Sequence, residues 1–175
     1  PEPPVPSGAS NVLFLPGLEA SRLYAGENQL WEPNRDADAE KLYLDENGKS
    51  LRDDIYTKDV IGEVNISPIF QKNIYKSFED DLGHWKNDDE IINDYSVIPY
   101  DWRLSLDDIL NSGIKTGNDI FYNQSTENPY IIQELKRLAE NSKTGKVTII
   151  AHSNGGLLTK ALVNKLGAEA ENLID

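Results

Sequence analysis

The stretch Lys146-Val-Thr-Ile-Ile-Ala-His-Ser-Asn-Gly-Gly156 decides the predicted fold. A β-branched apolar run breaks here into small residues around Ser153, which predicts a strand over 146–151 and a helix over 154–166. The pattern is typical of a nucleophile elbow, in which a strained turn between a strand and a helix exposes a serine hydroxyl. Ala151 and Gly155 are small, as a crowded turn requires, and Gly156 is expected to ease the packing of the helix on the sheet.

This arrangement predicts acyl chemistry at Ser153. A helix N-terminus directs free backbone N–H groups at the serine, which favours the anion of a tetrahedral intermediate. Ser153 is then the nucleophile, and the amide of Asn154 is one oxyanion donor. A second interpretation is an ordinary strand-to-helix loop in which Ser153 caps the helix.

A second donor is expected from the turn that follows the first apolar run. The run 11–15 predicts a buried strand, and Pro16-Gly17 ends it. Because such a turn lies beside the elbow in α/β-hydrolases, the amide of Leu18 or Glu19 is the candidate donor. The alternative is a simple turn that ends the strand.

Composition limits the classes of partner. The 175 residues contain 17 Lys and Arg against 30 Asp and Glu, a formal net charge of −13, which argues against nucleic acid or an anionic membrane surface as a partner. Cysteine is absent, which excludes disulfides and Cys-based metal sites. The predicted chemistry uses no metal or cofactor, and no apolar run approaches the roughly 18 residues of a transmembrane segment.

The order of elements predicts an α/β fold. Residues 1–10 are rich in proline and are expected to be an extended linker, and 11–175 to form one domain in which the polar stretch 20–66 is a lid-like or hairpin-like excursion. The further predicted elements are a hairpin turn at Asn47-Gly48, helices over 67–82, 104–114 and 129–141, a strand over 95–100, and the start of a strand at 172–175. Alternating strands and helices favour a mostly parallel sheet with helices on both faces.

Four segments together resemble the lecithin:cholesterol acyltransferase family of α/β-hydrolases, and they occur in the same order. They are Pro16-Gly-Leu-Glu-Ala-Ser-Arg-Leu23, Leu30-Trp-Glu-Pro33, Pro99-Tyr-Asp-Trp-Arg103 and Ala151-His-Ser-Asn-Gly-Gly156. The resemblance implies hydrolysis or transfer of lipid acyl esters, such as those of phospholipids or acylglycerols, through a Ser-Asp-His triad. It implies Ser153 as the nucleophile and Asn154 and Glu19 as oxyanion donors, with Leu18 the adjacent candidate.

The resemblance also suggests substrate-binding residues. Trp31 falls where the family carries a lid and lipid-gripping aromatic side chains, although the cysteines that close the lid in animal members are absent. Asp101, Trp102 and Arg103 are candidates for substrate contact. For Asp101 and Arg103, an ion pair that fixes the loop is the favoured alternative.

The triad acid and histidine have no match in the chain. No histidine follows Ser153, His152 is expected to point away from the hydroxyl, and His84 falls in a segment expected to be a polar connection. The sequence thus indicates the N-terminal half of a hydrolase, inactive without a partner half that carries the acid and base. Two classes remain open: a lipid esterase or acyltransferase, and a non-catalytic lipid-binding or interaction module.

Overall fold

The computed structural model describes residues 8–33, 35–67 and 70–175, with 64–67 and 70–72 described by their backbone pairing alone. Most of the expected linker over 1–10 therefore lies outside the described residues. The strands are β1 (Asn11–Leu15), β2 (Leu23–Ala25), β3 (Asn28–Trp31), β4 (Ile55–Tyr56), β5 (Glu63–Ser67), β6 (Phe70–Asn73), β7 (Tyr95–Val97), β8 (Ser112–Thr116), β9 (Asp119–Ser125) and β10 (Val147–Ala151). The helices are α1 (Asp36–Glu40), α2 (Lys76–Asn87), α3 (Leu106–Asn111), α4 (Tyr130–Glu140), α5 (Asn154–Leu166) and α6 (Ala170–Leu173), with a 3-10 turn at Gly167–Glu169.

A three-stranded parallel sheet in the order β10-β1-β7 forms the centre of the fold. Every residue of β1 is buried, as expected for an apolar strand between two layers. Leu13 and Leu15 pack in one core cluster with side chains of α3, α4 and α5. Val12 and Phe14 face the other side, where they pack with Leu82 and Phe78 of α2. The prediction of an α/β fold with helices on both faces of a parallel sheet is thus confirmed at this level.

The excursion between β1 and α2 forms its own small sheets. Strands β3, β2 and β4 make one antiparallel sheet, and β5 pairs with β6 in a separate hairpin. An antiparallel bridge joins Leu44 to Ser50 across the predicted turn at Asn47-Gly48. A bridge between Thr57 and Ile120 connects the excursion to β9.

Three predicted elements differ from the structure. The helix expected over 67–82 is wrong in its first half, because residues 70–73 form β6 and the helix begins only at Lys76. The helix expected over 104–114 ends at Asn111, and β8 and β9 then form a hairpin. His84 lies within α2 instead of in a polar connection.

The chain after α5 only partly matches the predicted strand at 172–175. Residues Ala170–Leu173 are helical, and Ile174 then forms a parallel bridge with Val147 on the outer side of β10. The amide of Asp175 donates to the carbonyl of Val147 at 3.1 Å.

Candidate functional site

Ser153 lies between β10 and α5 in a strained conformation. Its φ of 52° and ψ of −120° fall in a region that side chains other than glycine rarely adopt. The residue is exposed and occupies the N-cap position of α5, but its side chain makes no capping hydrogen bond. Ser105, the N-cap of α3, does accept a bond from the amide of Asp108. Helix capping therefore does not account for the strained serine.

The start of α5 touches the end of β1 through Gly155. A Cβ at this position would lie 2.2 Å from the carbonyl oxygen of Leu15 and 2.7 Å from that of Pro16. A Cβ at Gly156 would meet nothing within 4 Å. The packing role expected of Gly156 is therefore wrong, and Gly155 is the residue that permits the close approach of helix and strand.

The turn after β1 faces the serine. Leu15 pairs with Ala151 at the end of the two parallel strands, and the amide of His152 donates to the Leu15 carbonyl at 3.0 Å. A Cβ at Gly17 would lie 3.3 Å from the Cβ of Ser153, so only glycine leaves ordinary space between the two turns. The predicted nucleophile and the predicted oxyanion turn are thus neighbours.

Two tyrosines hold the Pro16–Gly17 peptide from opposite sides. The hydroxyl of Tyr100 donates to the Pro16 carbonyl at 2.8 Å, and the Gly17 amide donates to the hydroxyl of Tyr75 at 3.1 Å. Burial raises the pKa of Tyr100 to about 12, which keeps its phenol protonated as a donor. The side-chain amide of Asn154 donates to the same hydroxyl at 3.3 Å and links the elbow to this network.

The remaining amides of the turn are available to a ligand. Among the described residues, neither the Leu18 amide nor the Glu19 amide donates to a protein acceptor, whereas the Gly17 amide is engaged by Tyr75. Glu19 has a φ of 60°, a second strained position in the same turn. Either of these two amides is therefore available as the second oxyanion donor that the sequence suggests.

A cleft of about 340 Å³ adjoins the turn and has mostly apolar walls. Leu18 is 56% exposed and Ile74 is 41% exposed, so the mouth of the cleft presents apolar surface to solvent. The indole N–H of Trp31 donates to the Glu19 carbonyl at 2.8 Å, which fixes this ring against the turn. The full lining comprises Leu18, Glu19, Ala20, Trp31, Glu32, Ile61, Ile74, Tyr75 and His152.

Asp101 and Arg103 form a buried bidentate pair. The guanidinium bonds the carboxylate at 2.6 and 2.8 Å, and the side chains are 7% and 4% exposed. Arg103 also donates to the Leu42 carbonyl at 3.0 Å and to the Ser50 hydroxyl at 3.2 Å. These contacts connect the end of the central sheet to the excursion, which favours the structural alternative for both residues.

Trp102 contacts Trp31, which lines the cleft. Its ring packs edge-on against that of Trp31 with 5.1 Å between centroids, and its N–H donates to the Ser21 carbonyl at 3.0 Å. The structure thus brings Trp31 and Trp102 together beside the turn.

The two histidines have other partners. The Nδ1 atom of His152 is 2.7 Å from the Tyr75 hydroxyl. His84 is hydrogen-bonded to Asp88 on the exposed side of α2, and this bond raises the pKa of His84. Within the described ranges, no histidine is hydrogen-bonded to the Ser153 hydroxyl, and no cluster of three or more His, Asp or Glu side chains could hold a metal ion.

Sequence reasoning missed the two tyrosines of the network. Tyr100 falls within the quoted Pro99–Arg103 segment, but no role was expected of its hydroxyl. Tyr75 falls in a stretch expected to be helical, and no pattern distinguishes it from a core aromatic residue. Only the folded chain, which brings α2 against the turn, reveals it.

None of the helices in the described part of the chain has the length and hydrophobicity needed to cross a membrane.

The chain was also compared with known proteins. No protein-family model, curated protein or solved structure matches this chain.

Proposed function

We propose that this chain carries the nucleophile and oxyanion hole of a serine-dependent lipid ester hydrolase or O-acyltransferase, similar to the lecithin:cholesterol acyltransferase family. The observation that carries the proposal is the conformation of Ser153. It is a non-glycine residue at φ 52° and ψ −120°, exposed and without a capping bond, and it directly precedes the close contact between α5 and β1 at Gly155. Strain at an exposed serine between a strand and a helix is typical of a nucleophile elbow.

The proposed reaction proceeds through an acyl-enzyme. The Ser153 hydroxyl transfers its proton to the general base as its oxygen attacks the ester carbonyl, and the negative charge on the carbonyl oxygen is stabilised by the Asn154 amide and by that of Leu18 or Glu19. Collapse of the intermediate breaks the bond to the leaving oxygen, which takes the proton from the base and departs as the alcohol, and the acyl group stays on the serine. Water or a second alcohol then takes the acyl group, so that hydrolysis and transfer share one intermediate.

The general base and the acid that orients it are supplied, in this proposal, by residues outside these 175, as in a complementary C-terminal half. His152 is bonded to Tyr75, and His84 to Asp88 in α2. Neither contact places an imidazole on the serine hydroxyl, which a general base must reach.

The cleft beside the turn suits an acyl chain. Its walls include Leu18, Ile61 and Ile74, and its volume of about 340 Å³ is within the range of small-molecule sites. Trp31 lines one side of it and is backed by the ring of Trp102, which packs edge-on against it.

The test is covalent labelling of the full natural protein with an alkyl fluorophosphonate, followed by intact mass and peptide mapping. We expect one adduct on Ser153, none in Ser153→Ala, and an unchanged adduct in Ser105→Ala, which removes a serine that caps a helix. The same 175 residues alone should react at least about a hundredfold more slowly, because the base is absent.

An absence of labelling in the full protein would contradict the enzyme proposal. The apolar cleft favours one alternative, a non-catalytic lipid-binding module. In that case, a fluorescent fatty acid should bind, and Ile74→Asp should abolish binding without preventing folding, because Ile74 is exposed at the mouth.

A further inference from the structure

We propose that Tyr75 is a positioning residue that sets the oxyanion turn against Ser153. The inference rests on the proposed function and concerns the same site. The Tyr75 ring lines the cleft proposed for the acyl chain, whereas its hydroxyl acts on the reacting atoms through the backbone of the turn.

The Tyr75 hydroxyl is placed where the turn, the elbow and α2 meet. It accepts from the Gly17 amide at 3.1 Å and is 2.7 Å from Nδ1 of His152. A Cβ at Gly17 would lie 3.3 Å from this hydroxyl and 3.3 Å from the Cβ of Ser153. One hydroxyl thus bonds a residue on each of the two turns that form the site.

One of these two bonds has a direction set by its donor. The Gly17 N–H can only donate, so the Tyr75 oxygen accepts there. The bond between the Tyr75 hydroxyl and Nδ1 of His152 takes its direction from the imidazole tautomer. With either tautomer, the same hydroxyl joins Gly17 to His152.

The ring that carries this hydroxyl is rigidly held. Tyr75 is only 9% exposed, and its ring packs edge-on against Phe14 of β1 with 5.1 Å between centroids. It packs in the same manner against the His152 ring at 5.7 Å. Its amide donates to the Gly62 carbonyl at 3.1 Å just before α2 begins. The hydroxyl is therefore a fixed point of the core to which the turn is attached.

The consequence concerns the next two residues of the turn. Because Tyr75 holds the Gly17 amide and Tyr100 holds the Pro16 carbonyl, this peptide plane cannot rotate freely. Its orientation sets the direction of the Leu18 and Glu19 amides, which are the proposed donors. Without the Tyr75 hydroxyl, the Pro16–Gly17 peptide keeps one of its two tyrosine bonds, and the donors lose part of their preorganisation.

Tyr75→Phe tests this inference, with Tyr56→Phe as the matched control. Tyr56 is 8% exposed, and its hydroxyl donates to the Gly26 carbonyl at 2.7 Å, outside the lining of the cleft. Each variant removes one partly buried hydroxyl and keeps the ring, so both should unfold a few degrees below the parent. In the full protein, Tyr75→Phe should lower the maximal rate of phosphonylation by the fluorophosphonate about tenfold at an unchanged half-saturating concentration. Tyr56→Phe should change neither.

A second measurement does not depend on catalysis. Backbone amide exchange, followed by NMR, should be at least about tenfold faster at Gly17 in Tyr75→Phe than in the parent, because its acceptor is gone. Equal phosphonylation rates in Tyr75→Phe and Tyr56→Phe would overturn the positioning role. If the parent protein is not labelled at all, the proposed function fails, and an unchanged Gly17 exchange rate would then overturn the inference independently.

Discussion

Replacing Ser153 by glycine is expected to stabilise the protein while it removes the proposed nucleophile. The reason lies in the backbone of residue 153, which has φ 52° and ψ −120°. A side chain in such a region costs about 1–3 kcal/mol, and glycine removes most of that cost. Glycine also increases the entropy of the unfolded chain, which costs about 0.4–1 kcal/mol. The difference favours Ser153→Gly by about 1 kcal/mol.

Ser153→Ala provides the matched comparison. Alanine keeps the Cβ and therefore the strain, and the hydroxyl that it removes makes no capping bond. Its free energy of unfolding should stay within about 0.5 kcal/mol of the parent. Both variants lack the proposed nucleophile, so the difference in stability between them reports the backbone strain less the entropy cost of glycine in the unfolded chain.

Urea unfolding followed by circular dichroism gives the readout. With a slope of about 2 kcal/mol/M, a gain of about 1 kcal/mol moves the midpoint up by about 0.5 M. The same gain raises the thermal midpoint by about 2–4 °C in a chain of this length. If Ser153→Gly is no more stable than Ser153→Ala, residue 153 is not strained, and the main argument for a nucleophile elbow is lost.

Three further predictions concern the surroundings of the site. Ser105→Ala should lower the free energy of unfolding by about 1 kcal/mol in urea titrations, because it removes a helix cap, and an unchanged midpoint would contradict that cap. Gly155→Ala should lower the free energy of unfolding by about 3 kcal/mol, because the added Cβ meets the backbone of β1. The Cβ of Gly156→Ala meets nothing, so this control should be neutral or slightly stabilising. Equal effects of the two substitutions would refute the close approach of helix and strand. Arg103→Leu should cost about 3–5 kcal/mol because it leaves the Asp101 carboxylate buried without a partner, and a double variant that also carries Asp101→Leu should recover part of this loss.

The elements around the serine could be predicted because their sequence patterns are long or flanked by strong signals. The helix over 154–166 has the predicted bounds, and β10 differs from its prediction by one residue. Gly167, which follows the last residue of this helix, has a φ of 55°, a conformation that glycine adopts without strain. Here local propensity and tertiary structure favour the same conformation.

The predicted helices are wrong where a short apolar run fits both the helical period of 3.6 residues and the strand period of 2. The helix predicted over 104–114 includes Ile114, but α3 ends at Asn111. The chain then forms the β8–β9 hairpin, which turns at Gly117, whose φ is 62°. The Gly117-Asn118 pair between two β-prone runs is a hairpin signal that could have identified β8 and β9. Residues 70–73 carry no comparable signal, and only their pairing with β5 makes them a strand.

Some residues of the candidate site could likewise be predicted from local sequence, and others could not. Residue types and spacing could indicate Ser153, because the constraints on an elbow are local. The partners of the opposing turn could not be predicted, because Tyr75 and Gly17 are 58 residues apart and meet only through the packing of α2 on the sheet. The buried partnership of Asp101 with Arg103 was predictable as an alternative, but its attachment to Leu42 was not.

The in-register pairing of β1 with β10 fixes the position of one turn of the site relative to the other. Five consecutive residue pairs end at Leu15 and Ala151, so a one-residue insertion in either strand would shift one turn by about 3.3 Å and reverse its side chains. The outer strands of the excursion, β2, β3 and β4, pair with neither β1 nor β10. Their length and composition can therefore change without shifting the register that sets the proposed nucleophile beside the proposed oxyanion turn, as long as the bonds of Trp31 to Glu19 and of Tyr75 to Gly62 are kept. The surface that would face a substrate is thus free to vary where the register of the two strands is not.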